Sequence, residues 1–233
     1  MDFGKAFTYM FQDPRWLAKL GIGTLLILVG IPLSLTLIGI VPLIIVTGYS
    51  LVALDNVRLG HEHPLPEWQD WGKFFMLGLK AFAALFIWAL PMFIGFVPVL
   101  AGSVIADNGN SGGAGAISTL LICCGSCLMF LWGLLIALLT PAIYARLAAT
   151  DRFAAAFELG RIWEYTRDNL GNVIIAILLV WLAGIIAFVL GTLGFMLLCI
   201  GAMLTIPLAS LWQYLVQAHL FGQIAANSVT AIE

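Results

Sequence analysis

Fifty consecutive residues, from Asn169 to Ala218, contain no Asp, Glu, Lys, Arg or His. As a single α-helix this stretch would be roughly 75 Å long at a rise of about 1.5 Å per residue. The hydrocarbon core of a bilayer is only about 30 Å thick. The stretch therefore has to cross a membrane twice. We expect its turn within residues 191–194, where Gly191 and Gly194 relax the backbone.

The composition extends this conclusion to the whole chain. Of its 233 residues, 62% are hydrophobic and only 9% are charged, whereas a typical soluble domain has about 25% charged residues. The apolar runs are long and continuous, which argues against the short alternating strands of a membrane β-barrel. We predict an all-α membrane protein. The net charge of -2 is too small to indicate a nucleic-acid partner.

A second uncharged run covers residues 20–54. As helix it would span roughly 52 Å, which is long for one crossing and enough for two short ones. Lys and Arg flank the run on both sides, and these residues favour the cytoplasmic side of a membrane. Two crossings place both flanking groups in the cytoplasm, whereas one crossing would separate them. We therefore predict a tight hairpin, with Gly39 at the turn and Pro42 at the start of the second helix.

The distribution of basic residues supports six crossings. With six, all ten Lys and Arg lie on one side, and the opposite connections near residue 39, at 107–115 and near 191–194 contain none. We predict a single integral membrane domain over residues 1–233, a six-pass helical bundle in the cell membrane of a bacterium or archaeon with both termini cytoplasmic. The predicted passes are residues 17–38, 40–55, 76–105 (bent at Pro91 and Pro98), 116–146, 169–190 and 195–221.

Three short amphipathic helices are predicted to lie in the cytoplasmic membrane interface, at residues 2–12, 66–75 and 151–167. Each carries aromatic side chains at helical spacing; in the first they are Phe3, Phe7 and Phe11. The polar side of the third has two pairs at i, i+3 spacing, Glu158 with Arg161 and Glu164 with Arg167.

Two parts of the chain suggest a parallel internal repeat. Phe3, Ala6 and Phe7 match Phe153, Ala156 and Phe157, and Pro42-Leu43 with Tyr49 matches Pro207-Leu208 with Tyr214. In each part an interfacial helix precedes an uncharged hairpin. The alternative is chance similarity between apolar sequences of low diversity.

For three polar features we favour a structural explanation over a functional one. His61-Glu62-His63, near Asp55 and Asp70, could bind a metal, but a solvated loop explains it better because the helical His spacing of zinc hydrolases is missing. Cys123, Cys124 and Cys127 are explained by close helix packing, with a disulfide or a lipidated thiol as alternatives. Lys80 can reach the interface by snorkelling.

The aromatic loop around Trp68 is the candidate interaction face. Glu67 and Asp70 are expected to orient it by pairing with Arg58 or Lys73. Tyrosines and His219 near the cytoplasmic ends are either membrane anchors or a polar cluster where the two hairpins meet. The face comprises Trp68, Trp71, Glu67, Asp70, Arg58, Tyr49, Tyr214 and His219.

Several of these residues form a recognisable signature. Gly48-Tyr49, Arg58, Gly60 and Leu65-Pro66-Glu67-Trp68 resemble the signature of a domain-of-unknown-function family of prokaryotic multi-pass membrane proteins. The resemblance extends over nearly the whole chain, to residues 219–223. It implies a multi-pass membrane fold and a prokaryotic origin, and it implies no activity.

The chain contains no Ser/His/Asp set, no phosphate-binding loop and no paired intramembrane carboxylates. We therefore expect no enzyme activity, catalytic residue, cofactor or metal. The leading hypothesis is a non-catalytic scaffold or accessory subunit, with the lipid bilayer and a membrane protein or a second copy of the chain as partners. The alternative is a small transporter or channel for apolar or weakly polar solutes, which needs no charge in mid-span if it is uncoupled. An enzyme acting on lipid through the His61–Asp70 loop ranks third.

Overall fold

The computed structural model describes residues 2–108, 112–197 and 200–228, and the regular structure within these ranges is entirely helical. The predicted all-α class is confirmed. The α-helices are α1 (Phe3–Thr8), α2 (Trp16–Leu33), α3 (Ile40–Arg58), α4 (Trp71–Ala89), α5 (Met92–Asn108), α6 (Gly112–Thr150), α7 (Leu159–Asp168), α8 (Leu170–Leu193) and α9 (Ile200–Ala226). Short 3₁₀ helices lie at Tyr9–Gln12, Leu37–Gly39, Phe153–Phe157 and Gly194–Leu197.

Five helical segments in the described part of the chain are long and apolar enough to cross a membrane. They belong to α2, α3, α4, α6 and α8. The 27-residue α9 is not among them, and its second half contains polar side chains such as Gln213, Gln217 and His219. The helical membrane class is thus supported, and the number of six crossings stays a prediction.

The chain divides into two compact units, residues 1–82 with 141–233 and residues 83–140. The first unit contains all ten Lys and Arg residues. In the second unit, α5 packs closely on α6, since a Cβ on Gly95 would lie 3.0 Å from the Gly125 carbonyl oxygen. The prediction of a single domain over residues 1–233 stays a prediction.

The hairpin predicted for residues 20–54 is present as the antiparallel pair α2 and α3. A Cβ built on Gly30 would lie 2.9 Å from Leu43 Cδ2 across the pair. The turn is the 3₁₀ helix Leu37–Gly39, where a Cβ on Gly39 would lie 1.9 Å from the Leu33 carbonyl oxygen. No side chain larger than hydrogen fits there, which explains the glycine.

A second hairpin pairs α8 with α9. Helix α8 ends at Leu193, and its connection to α9 begins as a 3₁₀ helix at Gly194, the last of the four residues where the turn was predicted. A Cβ on Gly194 would lie 2.0 Å from Thr205 Oγ1, so the close approach again requires glycine. Both hairpins turn through a 3₁₀ helix and follow a pair of short helical segments; an internal repeat stays a prediction.

The predicted interfacial helix at 66–75 is wrong as a separate element, because α4 begins at Trp71 and continues to Ala89. Trp68 packs against Tyr49 and Phe74, and this contact replaces the helical conformation at residues 66–70. The predicted pass at 76–105 is broken between α4 and α5. Pro91 disfavours the α conformation of the residue before it, and it separates the two helices.

The helix predicted at 151–167 is divided at Glu158, between the 3₁₀ helix Phe153–Phe157 and α7. Glu158 has φ -74° and ψ 76°, which is not helical. The segment predicted as a helix at 2–12 forms α1 followed by the 3₁₀ helix Tyr9–Gln12. Their location in a membrane interface stays a prediction.

Candidate functional site

A buried ammonium group organises the loop that precedes α4. Lys19, in the first turn of α2, is 5% exposed. Its Nζ donates to Asp13 Oδ2 at 2.6 Å and to the Leu65 carbonyl oxygen at 2.8 Å, and lies 2.9 Å from Glu67 Oε1. The ammonium thus binds three oxygens, one from Asp13 just before α2 and two from the distant loop that contains Leu65 and Glu67.

Asp13 is the buried partner of Lys19, with 3% of its surface exposed. Burial raises the pKa of its carboxyl group, but hydrogen bonds from the Lys19 ammonium and from the Arg15 amide outweigh burial, so that the pKa lies below its usual value. Asp13 is therefore a carboxylate, and the two buried charges compensate each other.

The aromatic side chains of the loop pack against the same residues. Trp68 stacks on Tyr49 with ring centroids 4.0 Å apart and planes 7° from parallel. Trp68 Nε1 donates to the Lys19 carbonyl oxygen at 2.9 Å, and the Tyr49 hydroxyl donates to the Pro66 carbonyl oxygen at 3.0 Å. We call the set Asp13, Lys19, Tyr49, Glu67 and Trp68 the Lys19 cluster.

Two predicted ion pairs of this loop are wrong. Glu67 pairs with Lys19 and with Arg15, each at 2.9 Å, instead of with Arg58 or Lys73. Arg58 pairs with Asp55 at 2.7 Å, within its own helix. The loop lies against the start of α2, so Glu67 meets Arg15 and Lys19 there.

The predicted interaction face is divided between the core and the surface. Tyr49, Trp68 and His219 are buried, whereas Trp71 is 42% exposed and Tyr214 is 41% exposed. Trp68 in this conformation cannot offer its ring to a partner, because Tyr49 and Phe74 contact it. Asp70 is exposed and stands beside Trp71 at the surface.

His219 belongs to a contact that joins the N-terminal segment to α9. Its ring lies 4.4 Å from that of Tyr9, and its Nδ1 is 2.9 Å from Gln223 Nε2. The Gln223 amide also exchanges two hydrogen bonds with the backbone of Asp2. Tyr9 donates its hydroxyl to the Leu215 carbonyl oxygen at 3.1 Å. His219 therefore has a structural role in this contact.

Tyr144 and Tyr214 support the polar-cluster interpretation. With Thr47, Ser50 and Gln217 they line a small cavity where α3, α6 and α9 meet within the first unit. The cavity measures about 10 Å³, which is about the space of one water molecule.

The sequence reasoning missed a buried arginine. Arg146 is 1% exposed, donates through Nε to the Ala155 carbonyl oxygen at 3.2 Å, and pairs with Glu158. Glu158 also lies 3.6 Å from Arg161, the predicted i, i+3 pair, and 3.3 Å from Arg152. The available signal was the position of Arg146 at the end of a long apolar run, where a charge needs a partner.

The remaining polar motifs are dispersed. Lys80 pairs with Asp151 at 2.7 Å. Its ammonium group is therefore held by an ion pair, whereas the sequence had predicted snorkelling to the interface. Residues 61–63 are exposed, and among the described residues no group of three or more His, Cys, Asp or Glu could hold a metal. Cys123, Cys124 and Cys127 are exposed free thiols; Cys199 lies outside the described residues.

Comparison with known proteins bears on the same loop. A family model described as "Protein of unknown function (DUF4013)" matches residues 31–199. The chain belongs to the DUF4013 family. The DUF4013 match contains Tyr49 and Glu67 but neither Asp13, Lys19 nor residues 219–223, so the resemblance is shorter than expected. No curated protein and no solved structure matched the chain.

Proposed function

We propose that this DUF4013 protein is a non-catalytic membrane scaffold or accessory subunit. It would present a rigid surface, built around residues 64–73, to a protein partner on the cytoplasmic side of a cell membrane. The observation that carries this proposal is the Lys19 cluster, which fastens the loop to the first turn of α2 and to α3.

Rigidity favours interaction over alternating access. A transporter that moves one helical repeat against another would have to separate α2 from the loop if the movement passed between them. That separation would break the hydrogen bonds of the buried Lys19 ammonium to the Leu65 carbonyl oxygen and of the Trp68 indole to the Lys19 carbonyl oxygen, at a cost of about 0.5–3 kcal/mol each. A binding surface instead gains affinity from being held in place before its partner arrives.

The exposed residues at the end of this loop and in the first turn of α4 suit a protein partner. Trp71 projects beside the exposed Asp70 and Lys73, and Arg15 pairs with Glu67 at the same place. A partly exposed tryptophan surrounded by charges of both signs is typical of the energetic centre of a protein interface. We call Arg15, Glu67, Asp70, Trp71 and Lys73 the loop platform.

The test is purification from native membranes in mild detergent, followed by mass spectrometry of bound proteins and of the intact complex. The double substitution Asp70→Ala with Trp71→Ala removes the centre of the loop platform. Trp163→Ala on α7 is the matched control, because Trp163 is 60% exposed and lies outside the loop platform.

We expect a stoichiometric partner, either another membrane protein or a second copy of the chain, that is lost from the double variant and retained by the control. Purification of the wild-type chain without a protein partner would contradict the proposal. Equal loss from the double variant and from Trp163→Ala would also contradict it, since it would show that the loop platform is not the binding surface.

A further inference from the structure

A cavity of about 300 Å³ opens between α8 and α9 in the first unit, which is the lower end of the size of small-molecule sites. We call it the α8–α9 groove. One side is formed by Gly184, Gly191 and the rings of Phe188 and Phe195; the other side is formed by residues of α9, including Ser210 and Gln213.

The two glycines let side chains of α9 approach the backbone of α8 beside the groove. A Cβ on Gly184 would lie 3.0 Å from Gln213 Nε2, and a Cβ on Gly191 would lie 3.1 Å from Ile206 Cγ1. Small residues also occur where membrane helices simply pack together, so the glycines by themselves indicate close packing. The ligand is indicated by the polar group beside them.

That polar group is the side-chain amide of Gln213, which has no hydrogen bond to any described residue. The hydroxyl groups nearby are satisfied, since Ser210 donates to the Ile206 carbonyl oxygen and Thr192 to that of Val189. Gln213 is half-buried beside the groove, and an amide that faces apolar side chains without a hydrogen-bond partner is unfavourable.

We propose that the α8–α9 groove binds an uncharged, membrane-soluble small molecule with a slender apolar body and one hydroxyl or carbonyl group. The polar group pairs with the Gln213 amide, and the apolar body lies along Phe188 and Phe195. The described residues that line the groove include no ionisable side chain, so a charged ligand would have no counter-charge.

The test uses the full-length protein in phosphatidylcholine nanodiscs. The probe is a hexadecanol that carries a photoreactive diazirine in its alkyl chain. Labelled peptides are identified by mass spectrometry, with unlabelled hexadecanol or hexadecane as competitor. The alkane has the same apolar body but no hydroxyl group. We expect labelling of α8 and α9 next to Gln213, and competition by the alcohol at concentrations at least about tenfold lower than by the alkane, which corresponds to about 1.4 kcal/mol.

Gln213→Leu should remove the difference between alcohol and alkane. Gln217→Leu, one turn along the same helix and outside the lining of the groove, should keep it. Gly184→Ala places a methyl group against the amide and should weaken labelling, whereas Gly171→Ala adds a Cβ that meets nothing within 4 Å and should not.

Three results would overturn the proposal. One is equal competition by alcohol and alkane in the wild-type chain. Another is labelling of the exposed surface of α6 as strong as that of the groove. A third is an unchanged preference for the alcohol in a folded Gln213→Leu variant. None of these outcomes depends on whether the loop platform binds a protein.

Discussion

Lys19 connects the start of α2 to the loop that precedes α4, which is distant in sequence. Its ammonium reaches Leu65, 46 residues away, and its own carbonyl oxygen accepts the indole hydrogen of Trp68. A hydrophobic residue of similar length could fill the same space but would leave Asp13 as a buried charge without a partner. The cost of losing Lys19 should therefore greatly exceed that of losing an exposed lysine.

We expect Lys19→Met to lower the free energy of unfolding by about 3–5 kcal/mol, the usual effect of breaking a buried ion pair. Thermal unfolding in detergent, followed by tryptophan fluorescence, measures the change. Lys73→Met is the matched control, because Lys73 is exposed, and it should change the free energy by no more than about 0.5 kcal/mol. Equal effects of the two substitutions would show that the Lys19 cluster does not hold the loop.

Asp13 should make stability depend on acid pH. Its pKa is lowered in the folded chain, because the hydrogen bonds from Lys19 and from the Arg15 amide outweigh burial. The folded state therefore binds the proton less readily than the unfolded chain, and the contribution of Asp13, complete above the unfolded pKa of about 3.9, is lost as the pH falls through the folded value.

The measurement is the free energy of unfolding in the wild-type chain and in Asp13→Asn, from pH 6 down to the lowest pH at which the detergent complex stays soluble. The wild-type chain should lose stability as the pH falls below about 4, and the variant should lose less over the same interval. Parallel curves would show that Asp13 does not titrate with unfolding.

Helices α3 and α4 approach each other closely at two glycines. A Cβ on Gly48 would lie 1.7 Å from the Phe74 carbonyl oxygen, and a Cβ on Gly78 would lie 1.9 Å from that of Ile44. Both obstacles are backbone atoms, which cannot move without shifting a whole helix. This approach brings Tyr49, next to Gly48, against Trp68 and Phe74.

We expect Gly48→Ala to destabilise the chain by about 3 kcal/mol, the upper part of the range for overpacking, and to weaken the stacking of Tyr49 on Trp68. Gly72→Ala, in the first turn of α4, adds a Cβ that meets nothing within 4 Å and should be neutral or slightly stabilising. Thermal unfolding compares the two. A neutral Gly48→Ala variant would contradict the close approach of α3 and α4.

Residues near the start of the chain contact residues of α9 in the first unit. The Asp2 amide donates to Gln223 Oε1 at 2.8 Å, and Trp212 Nε1 donates to the Phe7 carbonyl oxygen at 3.2 Å. A chain whose first and last segments are hydrogen-bonded to each other crosses a membrane an even number of times. This contact favours six crossings over the five that the most apolar segments indicate.

Because Lys and Arg favour the cytoplasmic side and the predicted outer connections contain none, we predict that both termini lie in the cytoplasm. Alkaline phosphatase, which is active only outside the cytoplasm, should be inactive when fused to either terminus and active when inserted after Gly113, in the predicted outer connection. Opposite activities at the two termini would indicate an odd number of crossings and would contradict the contact between Asp2 and Gln223.

Much of the fold followed from local properties of the sequence. The length of an uncharged run and the thickness of a bilayer decided that residues 20–54 and 169–218 each form two helices, and the glycines at 39 and 194 marked the turns. The break at Pro91 was harder to predict from the sequence, because proline can either bend a membrane helix or end it. The separate helix at 66–75 was wrong, since the packing of Trp68 overrode its helical spacing.

The sequence by itself determined the helical membrane class, the two hairpins and the absence of basic residues from residues 81–145. These depend on hydrophobicity and on the rise of a helix, which act along neighbouring residues. Only the tertiary structure decided that Glu67 pairs with Lys19, that Trp68 and Tyr49 are buried, and that Gln213 borders an open groove. Each of these depends on which distant segments come into contact, and local patterns carry no information about that choice.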